Sequence, residues 1–128
     1  MVRWLGRLWA LPVAVPVWLL YLLPAWALGL LRPMRTHPGV VEWWAIPRWE
    51  WWRRLWSGWS GHALPYAIVL TWEPLPPGVV RHELRHTDQW LVLGPLFPIV
   101  YLVLLLACGY HHHPLEQDAR AREDLPCA

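Results

Sequence analysis

Two long stretches without a charged side chain limit the folds open to this chain more than any other feature. The first runs from Leu8 to Leu31, with arginines on both sides, and the second runs from Gln89 to Tyr110. A helix of about 20 apolar residues crosses the hydrocarbon core of a bilayer, so the first stretch is long enough to do so. Its three prolines would kink such a helix, which membrane helices tolerate better than soluble ones. We therefore predict a transmembrane or membrane-inserted helix near the N-terminus.

The second stretch predicts a shorter helix that turns back. Gly94, Pro95 and Pro98 interrupt its beginning, which leaves an unbroken helix from about Ile99 to Cys108. At 1.5 Å per residue this helix is about 15 Å long, whereas the hydrocarbon core is about 30 Å thick. We expect the segment to pack beside the N-terminal helix or to dip into one leaflet.

Composition also points to lipid. Apolar residues make up 56% of the chain and charged residues 16%, against about 25% charged residues in ordinary soluble domains. Residues 1–60 hold eleven of the 13 tryptophans and seven of the eleven basic residues, all of which are arginines. This mixture is typical of the water–lipid boundary, and the helical spacing of Trp52, Trp56 and Trp59 predicts a short interfacial helix at 48–57. The basic residues form no dense run, so membrane lipid is an expected partner and nucleic acid is not.

The arginines also give an orientation. Five of them lie in residues 32–60 and two precede the first apolar stretch. Because positive residues favour the cytoplasmic side, we expect residues 32–128 on the cytoplasmic face of a bacterial inner or cytoplasmic membrane.

The strongest chemical signal is the sequence His-Glu-Leu-Arg-His at residues 82–86. It falls in a segment predicted to be helical, which begins near Val79 and ends at Gly94. Positions i and i+4 share one face of a helix, so His82 and His86 can reach the same metal ion. The glutamate beside the first histidine, Glu83, can take a proton from a metal-bound water.

A third ligand candidate follows 30 residues after His86. Glu116 lies in a polar segment, 114–124, which begins with a proline and is predicted to be helical. Two histidines and a glutamate are one of the ligand sets of catalytic zinc, and they leave a fourth position for water or substrate.

The order of these segments resembles that of the gluzincin metallopeptidases, and most closely the minigluzincins and the CAAX prenyl protease family. The resemblance covers about residues 61–124 and rests on the 82–86 motif, the apolar hairpin and the Glu-x-x-Ala pattern at Glu116 and Ala119. It implies zinc as the cofactor, with the two histidines and the glutamate as ligands. The pattern departs at Arg120, where the CAAX proteases often have an acid that supports a ligating histidine; Asp118 and Asp88 are the alternatives.

The same resemblance implies a substrate-binding strand. Residues 63–72 are rich in β-branched and aromatic side chains and follow Gly61, which predicts one short strand. In the family, the edge strand above the zinc pairs with extended substrate. The residues implied to bind a peptide are Tyr66, Ala67, Ile68 and Val69.

Other polar side chains carry weaker expectations. One of His111, His112 and His113, or else Tyr110 or Tyr66, could stabilise an oxyanion, although the three histidines are better explained as a polar cap. His37 and His62 are expected in loops, without a ligand role.

The sequence thus predicts a mainly α fold: a zincin-like motif helix and a glutamate helix, a short edge strand or small sheet, and an N-terminal membrane helix. Residues 1–60 are expected to anchor the protein, and residues 61–128 to form a minimal metallopeptidase-like domain. The expected function is zinc-dependent hydrolysis of peptide bonds in a peptide or protein substrate. Two alternatives stay open: an inactive membrane-anchored interaction or structural protein that keeps the zinc-site fold, and intramembrane cleavage as in site-2 proteases, which use a later aspartate. A partner subunit is also left open.

Overall fold

The computed structural model describes residues 2–58, 60–71 and 75–123, with side chains from residue 4 onwards. Trp59, Trp72 and residue 124, which belong to predicted elements, lie outside these ranges.

The chain is mainly helical and carries one four-stranded mixed sheet, so the predicted fold class is confirmed. A π-helical turn, Trp18–Leu22, joins the first two helices, and a 3₁₀ turn, Gly94–Leu96, joins the helix that ends at Leu93 to the helix that begins at Phe97. In chain order the elements are α1 Val2–Val17, α2 Leu23–Ala27, β1 Leu31–His37, β2 Val40–Ala45, α3 Glu50–Leu55, β3 Gly61–Leu64, β4 Ala67–Leu70, α4 Pro77–Leu93, α5 Phe97–Cys108 and α6 Pro114–Glu123.

The sheet has the strand order β1-β2-β4-β3. The hairpins β1–β2 and β3–β4 are antiparallel, and β2 pairs with β4 in parallel. The central strand β4 is buried at all four positions. An unbroken apolar sequence is typical of a strand that is covered on both faces.

The prediction of a single strand at 63–72 was wrong. The segment forms the hairpin β3–β4, because Pro65 supplies no N–H to a ladder and Tyr66 turns the chain with a φ of 64°. The three residues of β4 predicted to bind substrate, Ala67, Ile68 and Val69, already pair with β2 and β3 on either side. They therefore have no free main-chain edge for a peptide, and the edge strand of this half of the sheet is β3.

Two helical stretches, Trp4–Ala27 and Pro77–Cys108, are long and apolar enough to cross a membrane by length and composition. The second is bent at Gly94, whose φ of 55° and ψ of −133° are not helical. The rings of His86 and Tyr101 lie 6.5 Å apart, whereas 15 residues of straight helix would separate them by about 22 Å. The prediction that this segment turns back is confirmed.

The hydrophobic core lies between the sheet and the N-terminal helices. Some tryptophans lie in this core and others lie on the surface. Trp43, Trp52 and Trp56 are buried in the core, while Trp4 and Trp26 are exposed. The core and the sheet draw on residues from both sides of residue 60. The division at that residue into an anchor and a catalytic domain stays a prediction.

Candidate metal centre

Three side chains from two helices converge on one point. His82 and His86 lie one turn apart on α4, and their Nε2 atoms are 3.1 Å apart. Glu116 reaches them from α6, with Oε2 3.2 Å from Nε2 of His82 and Oε1 3.3 Å from Nε2 of His86. The pairing predicted from the spacing of the motif and the distant glutamate is therefore present, and these residues form a group that could hold a metal ion.

The distances suit a tetrahedral ion. With metal–ligand bonds of about 2.0–2.1 Å, two ligand atoms of tetrahedral zinc lie about 3.3 Å apart. The two histidine nitrogens are 3.1 Å apart, and each lies within 3.3 Å of one oxygen of the Glu116 carboxylate, Oε2 for His82 and Oε1 for His86. With one atom taken from each residue, the three candidate ligand atoms lie within 4.8 Å of one another. In addition, Oε2 of Glu116 is buried and has no hydrogen-bond partner among the residues that the structure describes. A buried carboxylate oxygen without a partner is costly unless a cation compensates it, so the residues fit a divalent metal ion.

Both imidazoles are held from behind by oxygen atoms. Nδ1 of His82 is 2.6 Å from Oε1 of Glu123, and Nδ1 of His86 is 2.8 Å from Oε1 of Gln89. An oxygen acceptor at Nδ1 favours the tautomer whose Nε2 lone pair is free to bind a metal. Both lone pairs then point at the same place.

Neither Asp118 nor Asp88 thus takes the place of the acid that the CAAX proteases often have at the position of Arg120. Glu123 takes that position for His82, one helical turn further along α6. The Arg120 guanidinium instead donates to the carbonyl oxygens of Tyr110 and His111. Asp118 pairs with Arg85 at 2.6 Å, and Asp88 also lies near that arginine.

Glu116 is kept in its ionised form. Burial raises its pKa, but the contacts with His82, His86 and the Tyr101 hydroxyl outweigh burial and hold the pKa well below its usual range. The Tyr101 hydroxyl donates to Oε1 of Glu116 at 2.6 Å. Tyr101 was not among the site residues predicted from the sequence, although a lone phenol in the apolar helix α5 is a signal that could have indicated it.

The metal centre opens into a cleft of about 290 Å³. Glu83 lines this cleft and is 7% exposed. Within the described part of the chain, its carboxylate forms no hydrogen bond or ion pair. A carboxylate without a partner beside a metal site is available to accept a proton from water. The cleft is lined by Gly61, His62, Ala63, His82, Glu83, His86, Phe97, Tyr101, Tyr110 and Glu116.

The remaining predicted residues divide between the cleft and other places. Tyr110 lines the cleft, whereas Tyr66 turns its hydroxyl to the carbonyl of Arg7 on α1. His62 lies on β3 and lines the cleft, so its expected position in a loop was wrong. Its pKa is lowered to about 4 by burial, which keeps the ring neutral at physiological pH.

Two further histidines have structural contacts. His113 is fully buried; its Nε2 lies 2.8 Å from the carbonyl of Tyr101, and its Nδ1 accepts from the N–H of Leu115. It therefore caps α6 and ties it to α5, while His111 and His112 are exposed. His37 is on β1 rather than in a loop and bonds Glu42 at 2.7 Å.

Comparisons of this chain with protein-family models, curated proteins and solved structures give no match.

Proposed function

We propose that this chain is a membrane-associated, zinc-dependent peptidase of the gluzincin type. The observation that carries the proposal is the convergence of His82, His86 and Glu116, whose neighbouring polar atoms lie 3.1–3.3 Å apart. Among the described residues, the buried Oε2 of Glu116 has no hydrogen-bond partner. A second feature supports a reaction rather than a purely structural site. Glu83 lines the same cleft, beside the two histidines, and is 7% exposed.

When bound, zinc would lower the pKa of a coordinated water towards about 7 and polarise the substrate carbonyl. His82, His86 and Glu116 would hold the ion and leave the cleft side open. Glu83 would take the proton of the attacking water and pass it to the leaving amine, a contribution of about 10²–10⁴-fold for a positioned acid–base group. Phe97 and Tyr101 would keep bulk water from one wall of the cleft.

The substrate would be an extended peptide that lies along β3. In the described part of the sheet, β3 pairs with β4 and stands at one end of the strand order, the position at which an extended peptide adds by main-chain pairing. Gly61, His62 and Ala63 of this strand line the cleft. The indole N–H of Trp90 donates to the carbonyl of Ala63 at 3.1 Å, which fixes the strand beside the motif helix. This assignment replaces the one made from sequence to β4.

A membrane setting is supported by the two apolar helical stretches. Leu20 is 80% exposed on the N-terminal stretch and Leu106 is 79% exposed on α5. Lipid tails would cover these apolar side chains and so remove them from contact with water. We place the protein in a bacterial inner or cytoplasmic membrane, with the cleft on the cytoplasmic side in accordance with the arginine distribution. A partner subunit is a further element of this proposal.

The test of peptidase activity is a comparison of wild type with Glu83→Gln in detergent. Both proteins are loaded with zinc, and cleavage of an unstructured peptide library is followed by mass spectrometry. We expect Glu83→Gln to keep one zinc per chain and to lose at least about 100-fold in turnover. Glu50→Gln, at an exposed position on α3, is the matched control and should leave turnover unchanged.

The non-catalytic alternative gives a different result. If wild type binds zinc and cleaves no member of the library, or if Glu83→Gln cleaves as fast as wild type, the peptidase proposal is wrong. A preference for lipid-embedded helical substrates would instead favour intramembrane cleavage.

A further inference from the structure

The side-chain amide of Gln89 has a fixed orientation. Gln89 is buried, at 6% exposure, on the same helix as the two histidines. Its Nε2 lies 3.0 Å from the carbonyl oxygen of Leu115 and 2.9 Å from Oδ2 of Asp118. Both neighbours are acceptors, so only the NH₂ group can face them. The amide oxygen must therefore point the other way, to His86.

The orientation of Gln89 decides which nitrogen of His86 carries the proton. The amide oxygen lies 2.8 Å from Nδ1 of His86 and can only accept a hydrogen bond. Nδ1 must then be the protonated nitrogen of a neutral ring. Nε2 is left with its lone pair, directed towards Nε2 of His82 and Oε1 of Glu116. This is the tautomer that binds a metal.

The helix that supplies the third ligand also controls this amide. Leu115 and Asp118 flank Glu116 on α6. Asp118 is held in turn by Nε of Arg85, which donates a hydrogen bond to its Oδ2 at 2.6 Å, so this oxygen acts as an acceptor for both Arg85 and Gln89. Contacts therefore run without a break from Arg85 through Asp118 and Gln89 to His86.

We propose that Gln89 is a positioning residue that sets the tautomer of His86, and that α6 holds it in the required orientation through Leu115 and Asp118. Docking of α6 thus delivers Glu116 and prepares His86 in one step. The inference rests on the proposed metal site and adds to it a residue that the five-residue motif does not contain.

The test measures zinc affinity of the full chain in detergent by competition with a chromophoric chelator. Gln89→Leu removes both the acceptor and the donor, and we expect zinc affinity to fall by about 10–100-fold. Gln117→Leu makes the same change at an exposed position on α6 and should bind zinc as wild type does. Gln89→Glu keeps the acceptor but sets a carboxylate against Asp118, so it should also be weak. Adding Asp118→Asn gives that carboxylate a donor and should restore much of the affinity, which a loss of packing alone would not allow.

A second measurement needs no variant of Gln89. The ¹⁵N shifts of labelled histidine in the metal-free wild type should show His86 protonated at Nδ1, with its signals assigned from His86→Ala. Protonation at Nε2, or wild-type zinc affinity in Gln89→Leu, would overturn the inference. If that happens in a chain that binds one zinc, the proposed function still stands. If wild type binds no zinc, the proposed function and the inference fail together.

Discussion

Each histidine of the candidate metal centre presents its two nitrogens to different neighbours. Nε2 faces the shared point and Nδ1 faces a side-chain oxygen, from Glu123 for His82 and from Gln89 for His86. The histidines could be predicted from their spacing because both lie on one helix, where i and i+4 share a face. The supporting oxygens could not be predicted in this way. Glu123 reaches His82 only because α6 docks on α4, a contact between residues 41 positions apart.

The hydrogen bonds that Glu123 and Gln89 make to the two histidines should differ in their effect on zinc affinity. Glu123 has 39% of its side chain exposed, so water can take over its hydrogen bond to His82, whereas Gln89 is buried. We expect Glu123→Ala to weaken zinc binding by about tenfold, near the lower end of the range for such partners. The chelator competition assay checks this, with Glu50→Ala on α3 as the control. An effect larger than that of Gln89→Leu would contradict the assignment of the weaker role to Glu123.

At the scale of elements, the bend at Gly94 creates the site. It folds α5 back so that Tyr101 reaches Glu116 and Phe97 stacks on Trp90 at 4.3 Å. The Gly-Pro sequence predicted this break, and the helix α4 ends where expected. The β3–β4 hairpin was missed because β-branched and aromatic content marks a strand but not its turn. The left-handed Tyr66 gives no such signal, since turns usually place glycine or asparagine there.

A side chain at residue 94 should destabilise the fold at this bend. A Cβ at Gly94 would lie 2.2 Å from Cδ1 of Trp9, and the φ of 55° is strained for other residues. Gly109 has a similar φ of 73°, but a Cβ added there would meet no atom within 4 Å. We therefore expect Gly94→Ala to be less stable than Gly109→Ala by about 1–3 kcal/mol, the cost of overpacking.

Thermal unfolding of the two glycine variants in the same detergent measures this difference. Because the bend positions Tyr101 and Glu116, Gly94→Ala should also bind zinc more weakly than Gly109→Ala. Equal melting temperatures for the two variants would show that Trp9 can move away from the added methyl group without loss of stability.

At the scale of the whole molecule, the N-terminal helices pack against the helices and the sheet that surround the candidate metal centre. Trp9 packs on Gly94, the indole of Trp18 donates to the carbonyl of Pro65, and Tyr21 bonds His62 in the cleft wall. Charge and composition predicted a membrane-facing N-terminal half but could not show these contacts. Each of them joins residues more than 40 positions apart, and such pairs depend on the complete fold.

Membrane retention should depend on the exposed face of α5. Leu106→Arg places a charge on an apolar surface at 79% exposure, at a cost of up to about 3 kcal/mol if that position meets hydrocarbon. We expect the variant to be released from membranes by alkaline carbonate more readily than wild type. Leu55→Arg, at 61% exposure on the predicted interfacial helix α3, is the control and should be retained. Release of wild type itself would contradict a membrane setting.

X-ray absorption of the zinc-loaded chain identifies the ligands of the ion itself. We expect one zinc per chain with only nitrogen and oxygen ligands at about 2.0–2.1 Å, and outer scattering from two imidazoles. In His82→Ala and in Glu116→Ala, this signal should be lost. A sulfur ligand at about 2.3 Å, or zinc that survives both substitutions, would contradict the proposed site.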